Sequence, residues 1–301
     1  IETQILSLAF ENTCGELSNE NWKKLQNHAK STILKFQPLW SLPIGPLTDN
    51  NKFLLDQIYS WPFVNYCGID REVARADAAR TPTDNLIYTS KGLAALEYLL
   101  FEDSLKSVCN PRAYPETKLW SEKSPTEKRQ MRCTMAAQLA KDVENKASLL
   151  WEAWNPQQGH FAKTLVDGSR YNTPQAALND LSDHLFRHEI VKDQKLGRPL
   201  GRHKDCLSGV CPEQAELRYS GQSFAAISEN LKMQRLVFWG SASNRDEKGF
   251  GLDEGLQDLG RKDIADRWNE NLARAITQAE ALRDTSMQDV LATMDQNECA
   301  R

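Results

Sequence analysis

No apolar run in the 301 residues approaches the length of a transmembrane helix. Excess positive charge is also missing. The net charge is −4, so neither nucleic acid nor an anionic membrane surface is an indicated partner. The cysteines show no C-x-x-C spacing, which argues against a zinc ribbon or a thioredoxin-type centre. Hairpin signals are nearly absent, with Asp167-Gly168 standing alone. G-x-S-x-G, H-E-x-x-H and the D-x-D-x-D-G calcium loop do not occur. The first residue is Ile1 rather than Met and no signal peptide is visible, so the true start is expected to have been removed, by processing or by design.

What remains is an ordinary globular composition, 40% apolar and 26% charged, with a helical period. Asn19 to Lys35 places Trp22, Leu25, Ala29, Ile33 and Phe36 on one face. Pro38, Pro43, Gly45 and Pro46 then predict a turn-rich stretch over 36–51. Short helices follow over 52–60, stopped at Trp61-Pro62, and over 69–79. Ser124-Pro125-Thr126-Glu127 is a start signal with a capping box, opening a helix that runs to Trp154 and stops at Asn155-Pro156. Further helices are expected from Thr173-Pro174 to about Lys195, from Gln222 to Trp239 and from Lys262 to Arg283. Two loops separate them, over 196–212 and 240–260. The first carries Arg198, Arg202, His203 and Lys204; the second is a solvated glycine-rich loop. The expected class is all-α, with long helices and short turns favouring packed helical bundles.

The chemistry centres on the segment Asn85 to Phe101, read as one helix. Leu86, Leu93, Leu96 and Leu100 form its apolar stripe, and Glu97 falls inside that stripe. A glutamate aimed into a core costs several kcal/mol unless it is protonated, paired or bound to a cation. Glu97 is therefore a metal ligand, a partner for a cationic ligand, or one half of a structural ion pair. Arg218 is the expected partner, because its planar fork suits a buried carboxylate.

Other candidates have plainer readings beside them. His184 and His188 are four apart, a spacing that can hold zinc or simply decorate a charged helix. Ser220 reads as a helix N-cap, and with Gly221 it can hold an anion at the helix start. Trp151, Trp154, Trp239 and Trp268 read as packing residues. Seven cysteines, Cys14, Cys67, Cys109, Cys133, Cys206, Cys211 and Cys299, are either free thiols or a disulfide set. In the second case Cys206–Cys211 can clip a short turn and Cys109–Cys133 can close a Pro-rich loop. The odd count leaves at least one thiol unpaired within the chain.

Gly92-Leu93-Ala94-Ala95-Leu96-Glu97-Tyr98-Leu99-Leu100 resembles the G-x-H-x-x-E helix of the imelysin-like proteins, a group of exported bacterial peptidases and iron-regulated envelope proteins. Trp61-Pro62, Lys195-Leu196-Gly197-Arg198-Pro199-Leu200-Gly201 and Arg218-Tyr219-Ser220-Gly221 are similar to family segments in the same order. The resemblance is nearest to the periplasmic lipoprotein branch. It implies two helical bundles, a duplication, with a ligand site in the cleft between them. The corresponding domains are 1–168, carrying the motif helix, and 169–301. It also implies a periplasmic or outer-membrane-anchored protein, with a lipid anchor at a cysteine outside this chain.

The motif's histidine is Ala94 here, which has no donor atom. Gly92 and Glu97 carry over; the histidine role does not, which weakens a peptidase assignment. The expected function is a non-catalytic envelope protein binding a small ligand or ion, iron or zinc, and serving iron uptake. Its ligand contacts would be Gly92, Glu97, Arg218, Ser220 and Gly221. The alternatives are a metal-dependent peptidase using Glu97 with His184 and His188, and a scaffold that binds an envelope partner.

Overall fold

A computed structural model describes residues 14, 17–40, 54–75, 86–186, 190–207, 209–241 and 250–294. Every regular element among them is helical, so the chain is all-α. It divides into two compact units. Unit 1 takes Ile1–Ile33 and Gly45–Thr164; unit 2 takes Leu34–Ile44 and Leu165–Arg301.

Unit 1 contains most of α1 (Asn19–Trp40), then α2 (Leu54–Ile58), α3 (Tyr66–Ala74), α4 (Gly92–Phe101), α5 (Glu116–Glu122), α6 (Pro125–Trp154) and α7 (Phe161–Thr164). Trp22, Leu25, Ala29 and Ile33 of α1 are buried as their spacing predicts, while Phe36 is half-buried. Helix α1 continues through Pro38 to Trp40 instead of breaking. A proline in the last turn forfeits one intrahelical bond, and the carbonyls of that turn lack helical donors in any case. One of them, Gln37 O, accepts a hydrogen bond from Asn230 Nδ2 at 2.5 Å.

Helix α6 starts as predicted. Ser124 N–H donates to Glu127 Oε2 at 2.8 Å, Glu127 N–H returns to Ser124 Oγ at 3.3 Å, and Pro125 takes the first position. The helix packs against α4 and α2.

Unit 2 contains α8 (Pro174–Phe186), a π-helical segment over Ile190–Leu196, α9 (Ser223–Phe238), α10 (Leu252–Asp258), α11 (Lys262–Ala281) and α12 (Met287–Thr293). Its core joins Phe224, Ile227 and Leu231 of α9 to Leu272, Ile276 and Ala279 of α11. Val237 is half-buried, and its neighbour Phe238 takes the inward place, stacked on Trp268 with ring centroids 5.3 Å apart. The glycine-rich stretch 240–260 is not all loop, since α10 forms within it and Glu254 accepts the Gly251 N–H at 2.9 Å.

Three disulfides form: Cys14–Cys133, Cys67–Cys109 and Cys206–Cys211. The clip at 206–211 matches the expectation, but Cys109 and Cys133 do not bond to each other. Cys133 sits on the buried face of α6 and meets Cys14, while Cys109 meets Cys67 on α3. Spatial neighbours across helices won over neighbours across a loop. Cys299 lies outside the described residues.

Trp154 packs edge-on against Phe161, with ring centroids 4.9 Å apart, and Trp239 donates its indole N–H to Asn269 Oδ1 at 2.6 Å. Trp151 departs from the packing expectation at 65% exposed, because it lies on the outer face of α6.

Candidate functional site

The motif helix begins at Gly92, not near Asn85. A separate 3-10 turn over Tyr88–Ser90 precedes it, and Lys91 between them is extended. Gly92 has φ +79°, a conformation glycine adopts without strain. A Cβ there would lie 2.5 Å from the carbonyl oxygen of Ile58 at the end of α2. Close approach and left-handed backbone both require glycine at this position. Leu86 is buried but stands off the helix.

All ten residues of α4 are buried, so the helix has no polar face. Glu97 is 3% exposed and Ala94, one turn earlier at the histidine position of the motif, is 4% exposed. Residues three apart share a helical face, so Glu97 is the donor group of this motif face and Ala94 contributes none.

On the neighbouring face, Tyr98 anchors a buried polar cluster. Its hydroxyl donates to Asp70 of α3, 2.9 and 3.0 Å from the two carboxylate oxygens. Asp70 Oδ2 also accepts the Val108 N–H at 2.7 Å, and Arg132 Nη2 of α6 lies 3.8 Å from Oδ1. Burial pushes the Asp70 pKa up, against the opposing pull of the Val108 N–H, the Arg132 charge and Tyr98. Arg132 is fully buried, lies over the Tyr98 and Trp120 rings, and donates to Glu102 O at 2.6 Å. The cluster fixes the C-terminal half of α4, and Gln26 of α1 adds a bond to Leu100 O at 2.7 Å.

In unit 2 Lys195, the first residue of one segment singled out by resemblance, pairs with Glu216, two residues before the other. Lys195 Nζ lies 2.6 Å from Glu216 Oε2, with both side chains sealed from solvent. The same ammonium donates to Gln37 Oε1 at 2.9 Å. Burial lowers the Lys195 pKa, with the Glu216 charge and hydrogen bond opposing. Arg218 Nη1 donates to Glu213 O at 2.5 Å, Nη2 donates to the Tyr219 hydroxyl, and the guanidinium lies over the Tyr219 ring. Ser220 is not the N-cap of α9. That position is Gln222, without a side-chain cap, and Ser220 Oγ donates to Leu217 O at 3.3 Å. Gly221, at φ +70°, gives the backbone the turn that sets the helix cap two residues later than expected.

Glu97 and Gly92 thus share a helix of unit 1, while Arg218, Ser220 and Gly221 share a segment of unit 2. His184 falls on α8, and His188 lies outside the described residues. Among the described residues no three His, Cys, Asp or Glu side chains gather as a metal site.

Sequence reasoning missed a further network between α9 and α11. Lys232 and Arg283 each reach Glu229 at 3.1 Å, and they lie 2.5 and 2.9 Å from Glu280. Ser228 also donates to Glu280. Burial alone would raise the Glu280 pKa, but the bonds from Lys232 and Ser228 and the two cationic charges hold it at about 2, against 4.5 ordinarily. A carboxylate depressed in the folded state contributes its stability above its unfolded pKa and loses it as the pH falls toward the folded value. Urea denaturation is therefore expected to show unit 2 weakening between pH 4.5 and about 2. Glu280→Gln should flatten that slope; an unchanged slope would show that other groups carry it.

Neither a curated protein sequence nor a solved structure matches the chain. The family model described as Peptidase M75, imelysin, matches residues 2–300, nearly its whole length. The chain therefore belongs to the imelysin family.

Proposed function

We propose that this imelysin-family protein is an exported, non-catalytic binding protein that takes a small ligand or ion through Glu97. One observation carries the reading: a carboxylate 3% exposed within a helix buried on every side. A cation is the partner that most directly offsets the desolvation of such a group. Ala94 supports the non-catalytic part. A Glu and a His three apart can grip one metal from one face, and Ala94 removes half of that grip. The three disulfides suit a protein that folds in an oxidising compartment such as the periplasm. Iron is the first ion to test, because the family resemblance links this group to iron uptake; zinc is the second.

The test is metal analysis of the isolated chain with calorimetric titration of iron and zinc, on wild type and Glu97→Gln. The expected result is binding by wild type and a loss of about tenfold or more in the variant, equivalent to about 1.4 kcal/mol or more. Circular dichroism of the variant confirms that it folds. Equal affinity in the two proteins would remove Glu97 from the ligand site.

A further inference from the structure

The Cys206–Cys211 bond differs from the other two disulfides in its surroundings. Cys14 and Cys133 are both buried, and Cys109 is buried where it meets Cys67 of α3. Cys206 keeps part of its surface in solvent, and Leu207 beside it is 97% exposed, whereas Cys211 is 2% exposed. One end of this bond is therefore open to an attacking thiol and the other is sheltered.

The loop is also cationic. Between Arg198 and Pro212 the one carboxylate is Asp205, against Arg198, Arg202 and Lys204. Arg198 Nη1 and His203 Nδ1 lie 3.4 and 3.2 Å from Asp205 Oδ2, while Arg202 and Lys204 are exposed. Cys206 N–H donates to His203 O at 2.9 Å, which keeps the cysteine in the same turn. Positive charge draws an attacking thiolate and stabilises a departing one. Around Cys67 the balance differs, since Asp70 follows one turn on in α3 and Arg71 is paired with Glu116.

Opening this clip also costs the fold little. It joins residues five apart, so it restricts the unfolded chain least of the three. Other bonds hold the same stretch: Cys211 N–H donates to Pro199 O at 2.9 Å, and Gln214 Nε2 donates to Asp205 O at 3.1 Å.

We propose that Cys206–Cys211 is a thiol-exchange site, activated by its cationic loop and opened by a dithiol while the other two bonds stay closed. One thiolate of the dithiol attacks Cys206 Sγ. A mixed disulfide forms, the Cys206–Cys211 bond breaks, and its electron pair leaves on Cys211. The second thiolate attacks the reductant's own sulfur and expels Cys206 as a thiolate among the cations. The dithiol closes to its own disulfide, and its two protons end on the two cysteines. None of these steps involves Glu97 or a bound ion.

The experiment incubates the whole chain with graded dithiothreitol, quenches by alkylation and maps the labelled cysteines by mass spectrometry. Cys206 and Cys211 should label together, roughly tenfold or more faster than the cysteines of the other two bonds. Circular dichroism of the clip-opened chain should match that of the oxidised chain. Arg202→Gln/Lys204→Gln should slow opening roughly threefold or more at low salt. With glutathione disulfide, Cys206 in a Cys211→Ala variant should form the mixed disulfide roughly tenfold faster than Cys211 in a Cys206→Ala variant. Opening of all three bonds at one rate, or of Cys67–Cys109 first, overturns the proposal. So does a clip that opens only as helicity is lost, or a charge variant that opens as fast as wild type.

Discussion

Replacing Glu216 by glutamine is expected to destabilise unit 2 by about 3–5 kcal/mol. The substitution keeps size and shape but strands the Lys195 ammonium, 1% exposed and 2.6 Å from the carboxylate it would lose. Gln37 Oε1 remains as an acceptor, yet a neutral amide does not offset a buried charge. The informative companion is the double replacement Lys195→Met/Glu216→Leu. Removing both charges abolishes the desolvation cost along with the attraction, and such exchanges are often close to neutral. The double variant is expected to lie within about 2 kcal/mol of wild type, the residue being the lost donor to Gln37. Denaturation monitored by hydrogen exchange in the 190–221 region resolves the two cases. A single variant as stable as wild type would show that water reaches the pair.

The second large effect is covalent. The three disulfides join residues 119, 42 and 5 apart. If cross-links act mainly by restricting the unfolded chain, their contributions rank with loop length, at about 5, 4 and 2 kcal/mol respectively. Alanine pairs replacing each bridge in turn are expected to follow that order. Alanine suits Cys133, which is fully buried and would tolerate a hydroxyl poorly. Loss of Cys14–Cys133 should lower Tm by roughly 10–20 °C, given about 2–4 °C per kcal/mol for units of this size. Should the short 206–211 clip prove the most damaging to remove, local strain or packing, not chain entropy, governs these bonds.

Signals confined to one helix were legible in the sequence. Ser124 and Glu127 lie three apart and cap each other, so the start of α6 could be read directly. The burial of Glu97 was also legible, though for an incomplete reason. A single apolar stripe was expected, whereas α4 is buried all round. Helix starts governed by backbone sign were harder. Gly92 and Gly221 look like ordinary glycines in the chain, and only their positive φ moves the helix boundaries. Pairings across long separations left no local trace. Nothing near Cys14 points to Cys133, and nothing near Asp70 points to Arg132, because tertiary packing alone brings them together.

The division of α1 between the units has a practical consequence for dissecting the molecule. Gln37, from the first forty residues, receives bonds from both Lys195 and Asn230. A fragment beginning at residue 165 would lack that acceptor, leaving the buried Lys195–Glu216 pair and the Asn230 amide each short of one hydrogen bond. Excision of the second half by a single cut is thus predisposed to insolubility; adding back the 34–44 strip as a separate peptide is the rational rescue.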